Sequence, residues 1–171
     1  MKRLIYATTL TLAIVSLAPV AQAFGSLRDA NLPHLGNAGA SPNNARILNA
    51  THYFEIHVQG KALSELSIDL PEGVSIPKKI EVKNQSGQKS DAKVSVNNRT
   101  ATIAFAQPVS PETTLSINMR GVNTSGYGKT WLYQVYGKMV GLNSQLALGP
   151  AWVQTYGKSI GTTKFFKSTV K

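Results

Sequence analysis

Between Thr51 and Gly157 apolar side chains recur at every second position in one short segment after another, and that period confines the chain to strands. In THYFEIHV, His52, Phe54, Ile56 and Val58 share one face, while Tyr53, Glu55 and His57 share the other. Leu66, Ile68 and Leu70 repeat the alternation before Pro71 stops it, and Ile80 and Val82 alternate with charged neighbours. NQSGQKSD then reads as a loop in which Gly87 can take a positive φ. AKVSV and RTATIAF flank Asn97-Asn98, a pair that tolerates left-handed backbone and predicts a tight hairpin. Leu115, Ile117 and Met119 alternate up to Arg120, and TWLYQVYGKMV and PAWVQTYG close the series. About eight strands separated by turn chemistry, with no amphipathic helix among them, predict an all-β domain. An immunoglobulin-like antiparallel β-sandwich is the economical arrangement, and a partly open β-barrel is the alternative. The helical options are a turn or two near Ala62 to Glu65 or in the segment before the strands.

The amino terminus reads as an export leader. Lys2 and Arg3 precede an apolar run from Leu4 to Leu17, Pro19 breaks it, and Ala21-Gln22-Ala23 has the small residues that signal peptidase accepts. The run is shorter than the roughly 20 residues that span a bilayer as a helix. Cleavage after Ala23 is expected, with a periplasmic or secreted product that keeps no transmembrane helix. Residues 24–50, rich in Gly, Ala, Asn and Pro, read as an extended lead-in, residues 51–157 as the sandwich, and residues 158–171 as a basic tail. The chain has no cysteine, which excludes disulfides, thiolate metal ligands and a cysteine nucleophile.

Charge is divided unevenly. All 8 acidic residues lie at or before Glu112, whereas Arg120, Lys129, Lys138, Lys158, Lys164, Lys167 and Lys171 follow it with no carboxylate among them. A half of one sign attracts anions over about a Debye length, roughly 8–10 Å at physiological salt. Outside the cytoplasm the fitting anions are envelope polysaccharides and lipid headgroups, and no motif for specific nucleic-acid recognition is present. No pattern in the sequence sets an oligomeric state.

The segments HYFEIHVQGKALSELSIDLPEGV, FAQPVSPETTLSINMRGV, TWLYQVYGKMVGL and GPAWVQTYG resemble a family of secreted cyanobacterial proteins, domain of unknown function 2808, over roughly residues 51–157. The resemblance implies an exported, all-β single domain in a photosynthetic bacterium, and it implies no reaction.

Local catalytic geometry is missing. No serine sits in a G-x-S-x-G turn, and strand parity points His52 and His57 to opposite faces. Glu65, Asp69 and Glu72 fall in one short segment instead of flanking a cleft, and no phosphate-binding or dinucleotide fingerprint occurs. No catalytic residue, metal ligand or cofactor is assigned. The functional signal is a strip of rings and cations: Tyr127, Lys129, Trp131, Tyr133, Tyr136, Lys138, Trp152, Tyr156 and Lys158. Flat rings beside cations suit stacking on sugars along an anionic backbone. Parity tempers this, because Trp131, Tyr133 and Val135 share one face of their strand and Leu132 and Tyr136 the other. One set must enter the core, and a tryptophan between two sheets is the ordinary occupant. The sequence therefore predicts a non-enzymatic binding or structural module of the envelope. The alternatives are a periplasmic hydrolase using His52 or His57 as base, and an adhesin or structural subunit that joins partners by strand addition.

Overall fold

A computed structural model describes residues 32–76, 79–124 and 128–157; the leader, Tyr127, Lys158 and the basic tail lie outside the described residues. The chain forms β1 (His34–Ser41), β2 (Ala50–His57), β3 (Leu63–Asp69), β4 (Lys79–Asn84), β5 (Ala92–Asn97), β6 (Thr100–Val109), β7 (Thr114–Val122), β8 (Thr130–Met139) and β9 (Leu146–Gln154). Two antiparallel sheets result, one of order β1-β2-β7-β4 and one of order β5-β6-β3-β8-β9. This is the β-sandwich, not the barrel, and no helix occurs among the described residues.

The alternation decides which side chains enter the space between the sheets. Phe54 and Ile56 of β2, Leu115, Ile117 and Met119 of β7, and Ile80 and Val82 of β4 come from one sheet. Leu66 and Ile68 of β3, Ala101 and Ile103 of β6, Trp131, Tyr133 and Val135 of β8, and Val153 of β9 come from the other. In β8 the alternation is strict from Trp131 to Met139, with only Tyr136 of the outward set partly covered.

Three elements differ from the sequence reading. The segment that reads as an extended lead-in contains β1, a strand paired into the first sheet, whose small residues have a packing reason. A Cβ on Gly39 would come 2.7 Å from the Tyr53 hydroxyl, and one on Gly36 would come 2.7 Å from Nε2 of His57. Side chains of β2 therefore lie across β1, which has little side chain of its own and shows no period. The helical turn considered near Ala62 to Glu65 is the start of β3, where Leu63 is fully buried and pairs with both Val109 and Met139. A register shift between Leu63 and Glu65 breaks the period of two there, which is why the local pattern imitates a helix. Finally, the β5–β6 hairpin closes one residue later than Asn97-Asn98 predicts. Asn97 pairs with Thr100, and Asn98 takes the left-handed conformation at φ 53°. Gly87 does adopt positive φ, 76°, in the loop after β4.

A cleft of aromatic rings at the closed side of the sandwich

The sheets are stitched together where β1 and β9 end. The Ala45 N–H donates to the Tyr156 carbonyl at 3.0 Å and the Tyr156 N–H donates to the Asn43 carbonyl at 2.8 Å. This brings the outer faces of β1, β2 and β9 into one surface, and a cleft of about 270 Å³ opens on it. Tyr53, Trp152 and Tyr156 supply three rings, Asn43 and Gln154 supply amides, and Ala38, Gly39 and Ala40 supply a floor with almost no side chain. The Tyr156 hydroxyl donates to Oε1 of Gln154 at 2.9 Å, which fixes the outward tilt of both. Trp152 is 61% exposed and Tyr156 53%, unusual for rings that could have been buried. No charged side chain lines the cleft, so its chemistry is that of ring faces and amide hydrogen bonds.

Gly39 makes that floor possible. Gly39→Ala is expected to push the Tyr53 ring aside while changing stability by less than about 0.5 kcal/mol, because the clash is with the far end of a partly exposed side chain. Thermal unfolding checks this: the midpoint stays within about 2 °C of wild type.

The strip predicted from sequence is divided by the fold. Trp152 and Tyr156 meet in the cleft. Trp131 and Tyr133 do not take part, since they are 1% and 0% exposed in the core. Trp131 Nε1 donates to the Thr155 hydroxyl at 2.9 Å, and Lys129 Nζ sits 4.2 Å from the indole centroid, so this lysine covers a structural ring. Tyr136 lies on the outer face of β8, four residues from the Leu132 that pairs with Trp152, and so roughly 13 Å along the strand from the cleft. Lys129 and Lys138 stand at opposite ends of β8, roughly 30 Å apart. Lys138 pairs in register with Glu65, and Arg120 forms an ion pair with Glu81 at 2.9 Å. The cations of the carboxyl-terminal half therefore do not converge among the described residues, and the lysine part of the predicted site is not assembled there. Tyr127 and Lys158 lie outside the described residues. Tyr53, Asn43 and Gln154 were not foreseen. Parity places Tyr53 on the outer face of β2, but only the pairing of β1 with β2 and the seam to β9 bring it beside Trp152.

His52 is placed against a role as base. His52 is fully buried, with Nδ1 2.6 Å from the Tyr133 hydroxyl across the core and Nε2 without a partner. Burial lowers its pKa from 6.5 to about 4 and pushes the Tyr133 phenol above its usual range, so both are neutral. No substrate reaches this pair. His57 hydrogen-bonds Thr114 through Nδ1 at 2.9 Å and its ring stands 5.0 Å from that of His34 on the outer face of the four-stranded sheet. Among the described residues no three His, Cys, Asp or Glu side chains group closely enough to hold a metal ion. No helix there is long and apolar enough to cross a membrane.

Fold and surface thus define a two-sheet antiparallel sandwich domain with an aromatic cleft beside its closed edge. Residues 23–148 match the model of the family described as Protein of unknown function (DUF2808), and the chain belongs to that family, as the resemblance in its strand segments implied. Tyr53 and the β1 floor lie inside the matched stretch, whereas Trp152, Gln154 and Tyr156 follow it. No curated protein matches the chain. Among solved structures, a DUF4466 family protein from Parabacteroides merdae is similar at 15% identity and a TM-score of 0.46, over 72% of this chain and 45% of that one. The collagen-binding domain of a Staphylococcus aureus adhesin is similar at 9% identity and 0.42, over 72% of this chain and 97% of that one. The RrgA Jo.In complex follows at 9% and 0.41, over 64% and 81%.

Proposed function

We propose that this chain is an exported, non-enzymatic binding or structural module of the cell envelope that holds an anionic polysaccharide, with sugar faces stacked in the Tyr53–Trp152–Tyr156 cleft. The exposed Trp152 carries this reading: a large ring held open to solvent beside a floor of alanine and glycine is a stacking platform, and the neighbouring amides match sugar hydroxyls. The cleft itself is uncharged, so the acidic groups of the polymer lie outside it. The net charge, +8 once Lys2 and Arg3 leave with the leader, draws the polymer in over long range. The leader pattern supports export, and the family match begins at residue 23, beside the proposed cleavage point after Ala23.

Binding of acidic exopolysaccharide to the purified chain tests this. Trp152→Ala is expected to weaken it about tenfold or more, the size of loss seen when an aromatic platform is truncated beneath a flat ring. Added salt is expected to weaken both proteins in parallel. Equal affinity of the two proteins would remove the cleft from the account.

A further inference from the structure

The side of the sandwich away from the cleft is unfinished. Among the described residues one sheet has five strands and the other four, so β5 overhangs β4 with no described strand facing it. Val94 and Val96 pair with Ile103 and Ala101, both fully buried, and so face the interior side; yet they remain 36% and 45% exposed. They line an open groove of about 360 Å³ with Ile80 and Val82. Natural edge strands are usually blunted by proline, by bulges or by inward-pointing charge. β5 has neither proline nor bulge, and its one charge, Lys93, is on the outer face.

The backbone of that edge is also unspent. The Asp91 carbonyl accepts from the Ala106 N–H on β6. Alternation then turns the polar groups of Lys93, Ser95 and Asn97 toward β6 and those of Ala92, Val94 and Val96 outward. Among the described residues no strand pairs with that outward row.

We infer that β5 is a self-association edge that pairs antiparallel with β5 of a second copy of this chain, about a two-fold axis at Val94. In that register Val94 faces the partner's Val94, and Ala92 and Val96 face the partner's Val96 and Ala92. Every outward N–H and C=O of the strand is then satisfied, and the exposed valines gain apolar neighbours. Lys93 stands opposite the partner's Ser95, so no two cations are directly opposed within the paired strands. The neighbouring register, centred on Ser95, leaves Ala92 facing a turn residue and forms fewer bonds. A second copy is favoured over other occupants because the outward row of β5 meets its own two-fold mate with every N–H opposite a C=O and with apolar side chains opposite apolar side chains. The result is one continuous ten-stranded sheet across two molecules, with the two aromatic clefts at its far ends.

Sedimentation equilibrium of the purified chain is expected to give twice the chain mass at high concentration. Val94→Lys puts two cations face to face on the axis at an already exposed position, and is expected to weaken association by about tenfold or more while leaving the circular dichroism spectrum intact. The absence of cysteine allows a direct reading of register. Under mild oxidation Val94→Cys is expected to form covalent dimers faster than Ser95→Cys, since only residue 94 meets itself. A wild-type chain that stays monomeric at every soluble concentration would overturn the inference. So would faster cross-linking through Ser95→Cys, or a Val94→Lys chain that dimerises as well as wild type.

Discussion

Replacing Trp131 by Ala lowers the free energy of unfolding by about 3–5 kcal/mol, whereas replacing Trp152 by Ala changes it by less than about 0.5 kcal/mol. The two tryptophans are 21 positions apart on adjacent, paired strands, but they serve different ends. Trp131 is 1% exposed, fills the space between the sheets and donates its indole N–H to Thr155. Its removal leaves a cavity and an unmet hydrogen bond that no nearby side chain can fill, because the core interdigitates closely. Trp152 meets water on most of its surface, so its loss removes little packing. Urea unfolding of the two variants measures the contrast directly. Similar midpoint shifts in both would mean that the faces of β9 have been assigned wrongly.

Acid is expected to weaken the fold through His52. The imidazole is held neutral, with a folded-state pKa of about 4 against 6.5 in the unfolded chain. A group whose pKa is depressed on folding leaves stability undiminished above the unfolded value and takes it away as pH falls. Here the loss develops between about pH 6.5 and pH 4, and amounts to about 3 kcal/mol at the lower end. The double variant His52→Leu with Tyr133→Phe removes both polar groups from the core and should lose that part of the acid dependence. Tyr133→Phe alone strips the imidazole of its one partner and is expected to destabilise by about 1–3 kcal/mol. Urea midpoints as a function of pH for the three proteins test this. If wild type and double variant trace parallel curves from pH 6.5 to 4, His52 titrates normally and the core reading is wrong.

The strands of this fold were legible where one face is buried and the other wet. β2, β7 and β8 alternate so strictly that sequence alone sorts their side chains, and it correctly divides His52 from His57 and Trp131 from Leu132. β1 was not legible because its partner strand lends it the side chains it lacks. β3 was half legible, since its bulge interrupts the period at Leu63. For the site, the sequence named Trp152 and Tyr156, which the fold brings into one cleft, together with Trp131 and Tyr133, which it buries. The alternation of Ala151 and Val153 against Trp152 was present in PAWVQTYG, yet hydrophobicity favours the indole as the inward residue. Tyr53 could not be joined to Trp152 from sequence, because their neighbourhood depends on the seam between Asn43–Ala45 and Tyr156, a contact between distant segments made by backbone alone. The lysines misled for the opposite reason: closeness in sequence is not convergence on a strand that spaces its residues by about 3.3 Å each.

The two indole N–H resonances offer the most direct test of the cleft. In a ¹⁵N-labelled chain titrated with acidic exopolysaccharide, the signal assigned to Trp152 is predicted to shift progressively to saturation while that of Trp131 stays in place. A titration in which bound polymer leaves the Trp152 signal unmoved would contradict the proposal that this ring is where the ligand rests.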